Sequence, residues 1–286
     1  MRLTSVFHHG AVRAALRLPD GDRVAVDALD PALPTDVDGV LAAGALPRVA
    51  ALVDSAAHAE RIDPTAPGAA VLRRPGKILG IGLNYVDHAD DLAATRPDEP
   101  AVFLKGAHTL IGPGEVIPLP PQSDRVTAEA ELGLVIGAPA WEVTADEALD
   151  HVAGAVAVLD QTAEDILQRN PRFLVRAKNY PGFLAVGAEL VPLADLADAT
   201  GDLASVRVTT MRNGEPHRDN VIGNMTFSPA HLVSFLSHVM PLSPGDLLCT
   251  GTPGAVPIGD GDVVTARIEG VGEVSVGVRA RDRAPA

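Results

Sequence analysis

The pattern of hydrophobic and polar positions is most informative between residues 126 and 137. There, small or polar residues alternate with apolar ones before the chain runs apolar, which is typical of a strand. Neighbouring strand side chains point to opposite faces, so Glu129 and Glu131 share one face, and Ala130 and Leu132 share the other. Two carboxylates on a buried strand repel each other and lose hydration, and a divalent cation with oxygen ligands would compensate them. From this stretch alone, a solvated polar face on an edge strand explains the pair equally well.

The remaining pattern divides the chain into a small N-terminal α+β module, residues 1–70, and a larger domain, residues 71–286. In the module, apolar runs flank a turn at 19–22 and predict a hairpin. Further segments are assigned by the same patterns: helices at 37–43 and 49–59, and a Pro- and Gly-containing linker at 63–68.

The larger domain is predicted to be mostly β, giving an α+β chain in which strands dominate. Strands are expected at 77–83, 101–105, 126–137 and 153–159, in a hairpin around Asn213-Gly214, and through 242–278. Helices are expected at 144–152, where Thr144 and Glu147 suggest a capping box, at 161–168, and after Ser228-Pro229.

Composition narrows the compartment and the partners. The chain has 286 residues, 47% of them hydrophobic, and one cysteine, Cys249, so an internal disulfide is excluded and a reducing cytoplasm is expected. The formal net charge of -14 argues against nucleic acid or an anionic membrane as partner. No apolar run is long enough to span a bilayer, and the first residues lack the apolar core of a signal peptide.

Lysine is rare in this arginine-rich chain, with only Lys77, Lys105 and Lys178. Such a chain can reserve lysine for places where a compact ammonium group is needed. A genome that disfavours lysine codons explains the scarcity equally well, but it does not explain the positions.

Two further features are candidates for chemistry. Asp160 follows a buried strand, where its carboxylate could reach a site at the sheet edge, although it could instead cap a helix starting at Gln161. His88 and Asp91 lie three residues apart, so on a helix they face the same way, and the carboxylate would orient the imidazole as a general base. Such a pair is more often a surface feature.

Several stretches together resemble the fumarylacetoacetate hydrolase superfamily, over about residues 76–278. They are Gly82-Leu83-Asn84-Tyr85 with His88-Ala89, Phe103-Leu104-Lys105, Leu110-Ile111-Gly112-Pro113-Gly114, Glu129-Ala130-Glu131-Leu132, Asp160, Ala177-Lys178, Met225-Thr226-Phe227, Pro244-Gly245-Asp246 and Gly251-Thr252-Pro253. The resemblance implies a rolled mixed β-sheet in the C-terminal domain and a homodimer. It also implies the acylpyruvate hydrolase and oxaloacetate decarboxylase type of chemistry on a 2-oxo acid or 1,3-dicarbonyl substrate.

The resemblance assigns roles residue by residue. It implies Mg²⁺ or Mn²⁺ held by Glu129, Glu131 and Asp160, which suits hard oxygen ligands. It implies catalytic roles for His88, Asp91 and Lys178, and substrate-binding roles for Tyr85, Lys105 and Thr252.

The implied function is metal-dependent hydrolysis of a C–C bond in an acylpyruvate-like substrate through a metal-stabilised enolate. The alternatives are a decarboxylase, tautomerase, isomerase or dehydratase using the same site, or a metal-binding homologue without catalysis. Three departures from the family pattern point to a changed substrate: Asp91 stands where the family has Glu, Glu164 stands where it has Arg, and His108 replaces a small hydroxyl residue.

Overall fold

The computed structural model describes residues 1–85 and 98–281. Strands account for 38% of the residues and helices for 23%, so the predicted mostly β fold is confirmed. The strands are β1 (Arg2–His8), β2 (Ala11–Arg17), β3 (Arg23–Ala25), β4 (Ile78–Gly82), β5 (Ala101–Lys105), β6 (Leu110–Ile111), β7 (Val116–Leu119), β8 (Val126–Ile136), β9 (Val152–Ala163), β10 (Leu184–Val186), β11 (Glu189–Leu190), β12 (Arg207–Arg212), β13 (Glu215–Val221), β14 (Leu247–Cys249), β15 (Val256–Ile258), β16 (Val263–Ile268) and β17 (Gly272–Ala280).

The helices are short. The α-helices are α1 (Val26–Leu29), α2 (Val37–Ala42), α3 (Leu46–Ala50), α4 (Glu164–Arg169), α5 (Leu174–Lys178), α6 (Leu193–Thr200) and α7 (Pro229–Val239), and 3₁₀ turns cover Ser55–His58, Ala107–Thr109, Ala148–His151, Pro171–Phe173 and Ile222–Asn224. Within the described part of the chain, no helix combines the length and the apolar character needed to cross a membrane.

Three sheets organise residues 1–85 and 98–281. The first has the order β11-β1-β2-β3, the second the order β5-β4-β14-β8-β9-β10-β6 with β15 also paired to β8, and the third the order β13-β12-β16-β17-β7. The first sheet takes β11 from beyond residue 70, and its apolar core is continuous with one face of the second sheet. The domain boundary near residue 70 stays a prediction.

Strand β8 lies at the centre of the second sheet, and all eleven of its residues are buried. The side of β8 that carries Ala130 and Leu132 belongs to the same hydrophobic core as residues of the third sheet, such as Val264. The opposite side carries Glu129 and Glu131 at one end and Val135 against the N-terminal core at the other. The solvated edge-strand alternative for the two glutamates is therefore excluded.

Strand β8 has two different neighbours along one edge, and this split creates space for a site. β14 pairs with it from Gly133 to Val135, and β15 pairs with it from Val126 to Ala128. The chain between β14 and β15, residues 250–255, loops past the uncovered middle of β8. That loop lies beside the two glutamates.

Several predicted elements are confirmed. The Asn213-Gly214 turn connects β12 to β13, with φ of 54° and 83°, as a primed hairpin turn requires. Ser228 caps α7 by accepting a hydrogen bond from the His231 N–H at 3.2 Å.

Three predicted helices have different bounds. At 49–59 there is only the end of α3 and a separate 3₁₀ turn, and Pro47 places the helix start earlier. At 144–152 the Thr144 hydroxyl donates to the Glu147 side chain at 2.8 Å instead of accepting from its backbone, and only a 3₁₀ turn forms. β9 continues to Ala163, so the helix predicted at 161–168 begins at Glu164 and Asp160 is no helix cap.

Candidate metal centre and active site

Three carboxylates meet on the acidic face of the second sheet. Glu129 and Asp160 are directly opposite each other in the β8–β9 register, and Glu131 lies two residues along β8. One oxygen from each of the three lies within 4.8 Å of the others, and all three residues are buried. Like charges placed opposite each other in a sheet are destabilising, so this arrangement requires compensating positive charge.

Two buried lysines supply part of that charge. Lys105 donates to Asp160 Oδ1 at 2.5 Å, while Lys178 donates to Asp160 Oδ2 at 2.5 Å and to Glu129 Oε2 at 2.8 Å. The Lys178 ammonium also lies 4.8 Å from the centre of the Phe103 ring, a cation–π contact. Lys178 comes from the C-terminal end of α5, and Lys105 is the last residue of β5.

The pKa shifts show how unevenly the charge is shared. Burial raises the pKa of Glu131 well above its usual range, and the neighbouring charges of Asp160 and Glu129 add to the effect. Burial also opposes ionisation of Asp160, but Lys105 and Lys178 outweigh it and hold the pKa of Asp160 below its usual range. Burial similarly opposes the charge on Lys178, yet Asp160 and Glu129 raise its pKa.

The two glutamates are also held by neutral donors. Glu129 Oε1 accepts from the hydroxyls of Thr162 at 2.9 Å and Thr127 at 3.2 Å. Glu131 Oε2 accepts from the Gly251 N–H at 2.8 Å. Gly251 has φ of +97°, and a Cβ there would lie 2.8 Å from the Asn84 side chain, so glycine is required at this position.

Asn84 fixes the loop that carries Gly251. Its side chain donates to the Thr250 carbonyl at 2.7 Å and to the Phe227 carbonyl at 3.0 Å, and accepts from the Phe227 N–H at 2.8 Å. The preceding Leu83 has a left-handed φ of 57°, which is strained for a residue with a branched side chain. The strained turn and the buried amide together hold β4 and the 250–255 loop in register.

We predict that Asn84→Ala lowers the free energy of unfolding by about 2–3 kcal/mol, because one buried and two partly buried backbone groups lose their partner. Urea denaturation measures the loss. Asn224→Ala, at an exposed asparagine bonded to Asn220, is the matched control and should change stability by less than about 1 kcal/mol. Equal losses in the two variants would contradict this role for Asn84.

A cavity of about 700 Å³ opens over Glu129 and Glu131. Its lining combines the acidic centre with apolar side chains from β4, β5 and the α4–α5 region: Ile81, Gly82, Leu83, Ala101, Phe103, Glu129, Glu131, Thr162, Glu164, Leu167, Gln168, Pro171, Leu174, Lys178, Thr252 and Ala255. A buried charged centre that faces a partly apolar cavity has the usual layout of a small-molecule site.

The structure brings together five of the residues proposed from the sequence: Glu129, Glu131, Asp160, Lys105 and Lys178. Thr252 lines the same cavity, and its hydroxyl contacts the Gly254 carbonyl at 3.2 Å. Their catalytic and binding roles stay predictions.

Two other predicted residues are placed differently. Tyr85 is fully buried, is absent from the cavity lining, and its hydroxyl has no hydrogen-bond partner within the described ranges. Burial, reinforced by the Glu131 charge, raises the pKa of Tyr85. His108 is exposed and its ring bonds to the Asn179 carbonyl at 2.9 Å, away from the cavity lining. His88 and Asp91 lie outside the described residues.

Sequence reasoning missed Thr162 and Asn84 as supports of the acidic centre. Thr162 was overlooked because β9 was expected to end at Asp160; a strand extended by two residues would have placed Thr162 on the Asp160 face. Asn84 was included only as part of a family motif, and nothing in its local pattern indicates the contacts to Thr250 and Phe227.

The residues present fit a divalent cation. If all groups are ionised, three carboxylates and two ammonium groups leave one negative charge in a buried cluster. Carboxylate oxygens are the ligands that Mg²⁺ and Mn²⁺ prefer. The raised pKa of Glu131 indicates that its negative charge is the least compensated of the three carboxylates. A cation bound at the triad would supply the missing positive charge.

A buried carboxylate triad that could hold a metal ion lies beside a cavity in a mixed β-sheet. Residues 77–279 match the family model for the fumarylacetoacetate (FAA) hydrolase C-terminal domain. The chain belongs to the fumarylacetoacetate hydrolase family, as its sequence motifs predicted.

Curated relatives cover most of the chain. An uncharacterised protein of Pyrococcus horikoshii is 35% identical over 73% of this chain and 90% of its own length. The 4-hydroxyphenylacetate degradation bifunctional isomerase/decarboxylase of Escherichia coli is 33% identical over 93% of this chain, which spans 57% of that longer protein. The mitochondrial oxaloacetate tautomerase of Xenopus laevis is 31% identical over 92% of this chain and 85% of its own length.

Solved structures agree with the fold. Fumarylacetoacetate hydrolase from Exiguobacterium antarcticum superposes with a TM-score of 0.84 at 27% identity, covering 98% of this chain and all of that one. Maleylpyruvate hydrolase from a Sphingobium species gives 0.78 at 27% identity, covering 98% and 100%. The 2-hydroxyhepta-2,4-diene-1,7-dioate isomerase of Mycobacterium marinum gives 0.76 at 26%, covering 99% and 100%. These relatives make the chain a member of an enzyme family with several activities.

Proposed function

We propose that this protein is a divalent-metal-dependent hydrolase that cleaves a C–C bond in an acylpyruvate-like substrate. The observation that carries the proposal is the buried triad of Glu129, Glu131 and Asp160, two members of which line a cavity together with Lys178 and Thr252. Mg²⁺ or Mn²⁺ held by that triad would polarise the substrate carbonyls and stabilise the negative charge of an enolate.

The chain's own groups would bind and orient the substrate. The Lys178 ammonium, bonded to Glu129 and Asp160, lies where it would stabilise negative charge on the 2-oxo acid end. The Thr252 hydroxyl, which lines the cavity, would donate to the substrate carboxylate in exchange for its contact with the Gly254 carbonyl. Phe103 and Leu83 line the wall beside these groups and would exclude water from the reacting end.

His88 is proposed as the general base, with Asp91 orienting its ring, on the strength of the family resemblance. An imidazole nitrogen would take a proton from the attacking water, whose oxygen adds to the distal carbonyl carbon. Breakage of the C–C bond leaves the electron pair on the 2-oxo acid fragment as an enolate. Protonation of that carbon yields two acids.

The expected result is loss of the acylpyruvate enol absorbance with Mg²⁺ present, and no loss after complete chelation with EDTA. Glu129→Ala should lower kcat/KM at least ~100-fold, since it removes a cation ligand and a partner of Lys178. Glu273→Ala, at an exposed glutamate paired with Arg267, is the control and should keep full activity. Activity that survives both chelation and Glu129→Ala would refute the proposal.

Decarboxylation or tautomerisation of a 2-oxo acid at the same site is the second candidate activity, and two observations favour it. Asp91 is one methylene shorter than the family's usual glutamate, and two of the relatives are named as an isomerase/decarboxylase and a tautomerase. Product analysis separates the activities, because hydrolysis yields two acids, decarboxylation releases CO₂ and tautomerisation conserves mass.

The homodimer implied by the resemblance stays a prediction, which light scattering would check.

A further inference from the structure

The cavity has two chemically different ends. The buried end carries two carboxylates of the triad, Glu129 and Glu131, together with Lys178 and Thr252. The outer wall is apolar, because Leu167, Pro171 and Leu174 are partly or largely exposed to it around α4 and α5. A substrate anchored at the buried end would therefore extend its remaining chain along apolar side chains.

Acidic side chains outnumber basic ones among the described residues that line the cavity. Among the described residues that line the cavity, Lys178 is the one cation, and its ammonium is bonded to Glu129 and Asp160. The outer part offers no lining lysine or arginine within the described ranges. The lining includes the carboxylate of Glu164, which is only 9% exposed and begins α4, the helix that also carries Leu167.

The Glu164 carboxylate is held in place by both of its oxygens. Oε2 accepts from Arg125 Nε, and Oε1 accepts from Gln168 Nε2 at 3.0 Å. Arg125 approaches from outside the cavity lining, with about half of its side chain exposed. Glu164 therefore cannot swing away from a bound anion without breaking two hydrogen bonds, one of them part of the ion pair with Arg125.

We propose that this cavity selects 2-oxo acids with an uncharged, apolar tail, and that Glu164 is the specificity-determining residue that rejects a second carboxylate. This inference rests on the proposed function, because it takes the 2-oxo acid end to lie at the triad. It separates this chain from the relative named for a 1,7-dioate, a substrate with a carboxylate at each end.

Two contributions set the expected difference in affinity between a monoacid and a diacid: burial of the apolar tail and repulsion by Glu164. Each methylene buried against the Leu167 and Leu174 wall should strengthen binding ~4-fold. Two carboxylates a few ångströms apart in a partly buried setting repel strongly enough to weaken binding by a factor of ~10–100. Both terms favour a monoacid over a diacid of equal length.

Calorimetry on the Mg²⁺-saturated protein tests the inference without relying on turnover. The probes are oxalate, which has only the chelating end, and the equal-length pair 2-oxooctanoate and 2-oxooctanedioate. The monoacid is expected to bind at least ~10-fold tighter than the diacid. Equal or tighter binding of the diacid, with oxalate still bound in a Mg²⁺-dependent way, would overturn this inference alone.

Variants assign the selectivity to residues. Glu164→Gln should bring the two affinities to within ~3-fold, whereas Glu273→Gln, which also removes a glutamate from an ion pair with arginine, should leave the wild-type ratio unchanged. Leu167→Ala should weaken 2-oxooctanoate ~5-fold and leave oxalate unchanged. If folded Glu164→Gln keeps the wild-type ratio of the two affinities, Glu164 is not the specificity-determining residue. If oxalate binds equally well with and without Mg²⁺, the proposed function and this inference are both wrong.

Discussion

Asp160→Asn is expected to lower the free energy of unfolding of the metal-free protein by about 3–5 kcal/mol, the usual cost of breaking a buried ion pair from one side. Asp160 is fully buried and is the shared partner of two buried ammonium groups, with Lys105 on one oxygen and Lys178 on the other. Without its charge, Lys105 has no carboxylate partner within the described residues, and burial already lowers the pKa of Lys105. The loss should therefore be large even though asparagine has nearly the same shape.

Urea denaturation of the EDTA-treated protein measures this loss. Asp219→Asn, which removes an aspartate from an exposed pair with Arg207, is the matched control and should cost less than about 1 kcal/mol. A loss below about 1 kcal/mol for Asp160→Asn would mean that the lysines are compensated by other groups, and the charge balance described above would be wrong.

Glu131→Gln should have the opposite effect on the metal-free protein, leaving its stability unchanged or higher while weakening Mg²⁺ or Mn²⁺ binding at least ~100-fold. Glu131 is the carboxylate whose charge is least compensated: it is buried beside Asp160 and Glu129, and its pKa is raised. A glutamine keeps an oxygen that can accept from the Gly251 N–H, so the 250–255 loop keeps its anchor. Affinity falls because an amide is a much weaker ligand than a carboxylate for a hard cation.

The pH dependence of this variant follows from the direction of the shift. A carboxyl whose pKa is raised on folding contributes stability below its unfolded pKa, and that contribution is lost as the pH rises through the raised value. The stability gained by Glu131→Gln in the metal-free protein should therefore be larger at pH 8 than at pH 5. A variant that is several kcal/mol less stable at pH 8, or that binds Mn²⁺ as tightly as wild type, would contradict this.

Sequence reasoning identified the carboxylates and the lysines of the acidic centre. Alternation along β8 placed Glu129 and Glu131 on one face, and the family motifs added Asp160 and Lys178, which the structure brings together with Lys105. What alternation could not decide was whether this face is solvated, because that depends on which strands lie beside β8. The pairing of β8 with β9, β14 and β15 depends on contacts between residues far apart in the sequence.

The cavity wall was less accessible to sequence reasoning. Glu164 stood out as a departure from the family pattern, but its bonds to Arg125 and Gln168 depend on where β9 ends and α4 begins. Leu167 and Leu174 look like ordinary core residues of short helices in the sequence. Their place in the lining follows from the packing of α4 and α5 beside β8 and β9.

The most direct test of the central claim is anomalous diffraction from crystals of the EDTA-treated protein soaked in Mn²⁺. The account predicts one strong anomalous peak among the carboxylates of Glu129, Glu131 and Asp160, at the ~2.0–2.4 Å ligand distances expected of a hard divalent cation, and its loss in Glu131→Gln crystals soaked identically. No peak at the triad under saturating Mn²⁺, or an equal peak in Glu131→Gln, would contradict it.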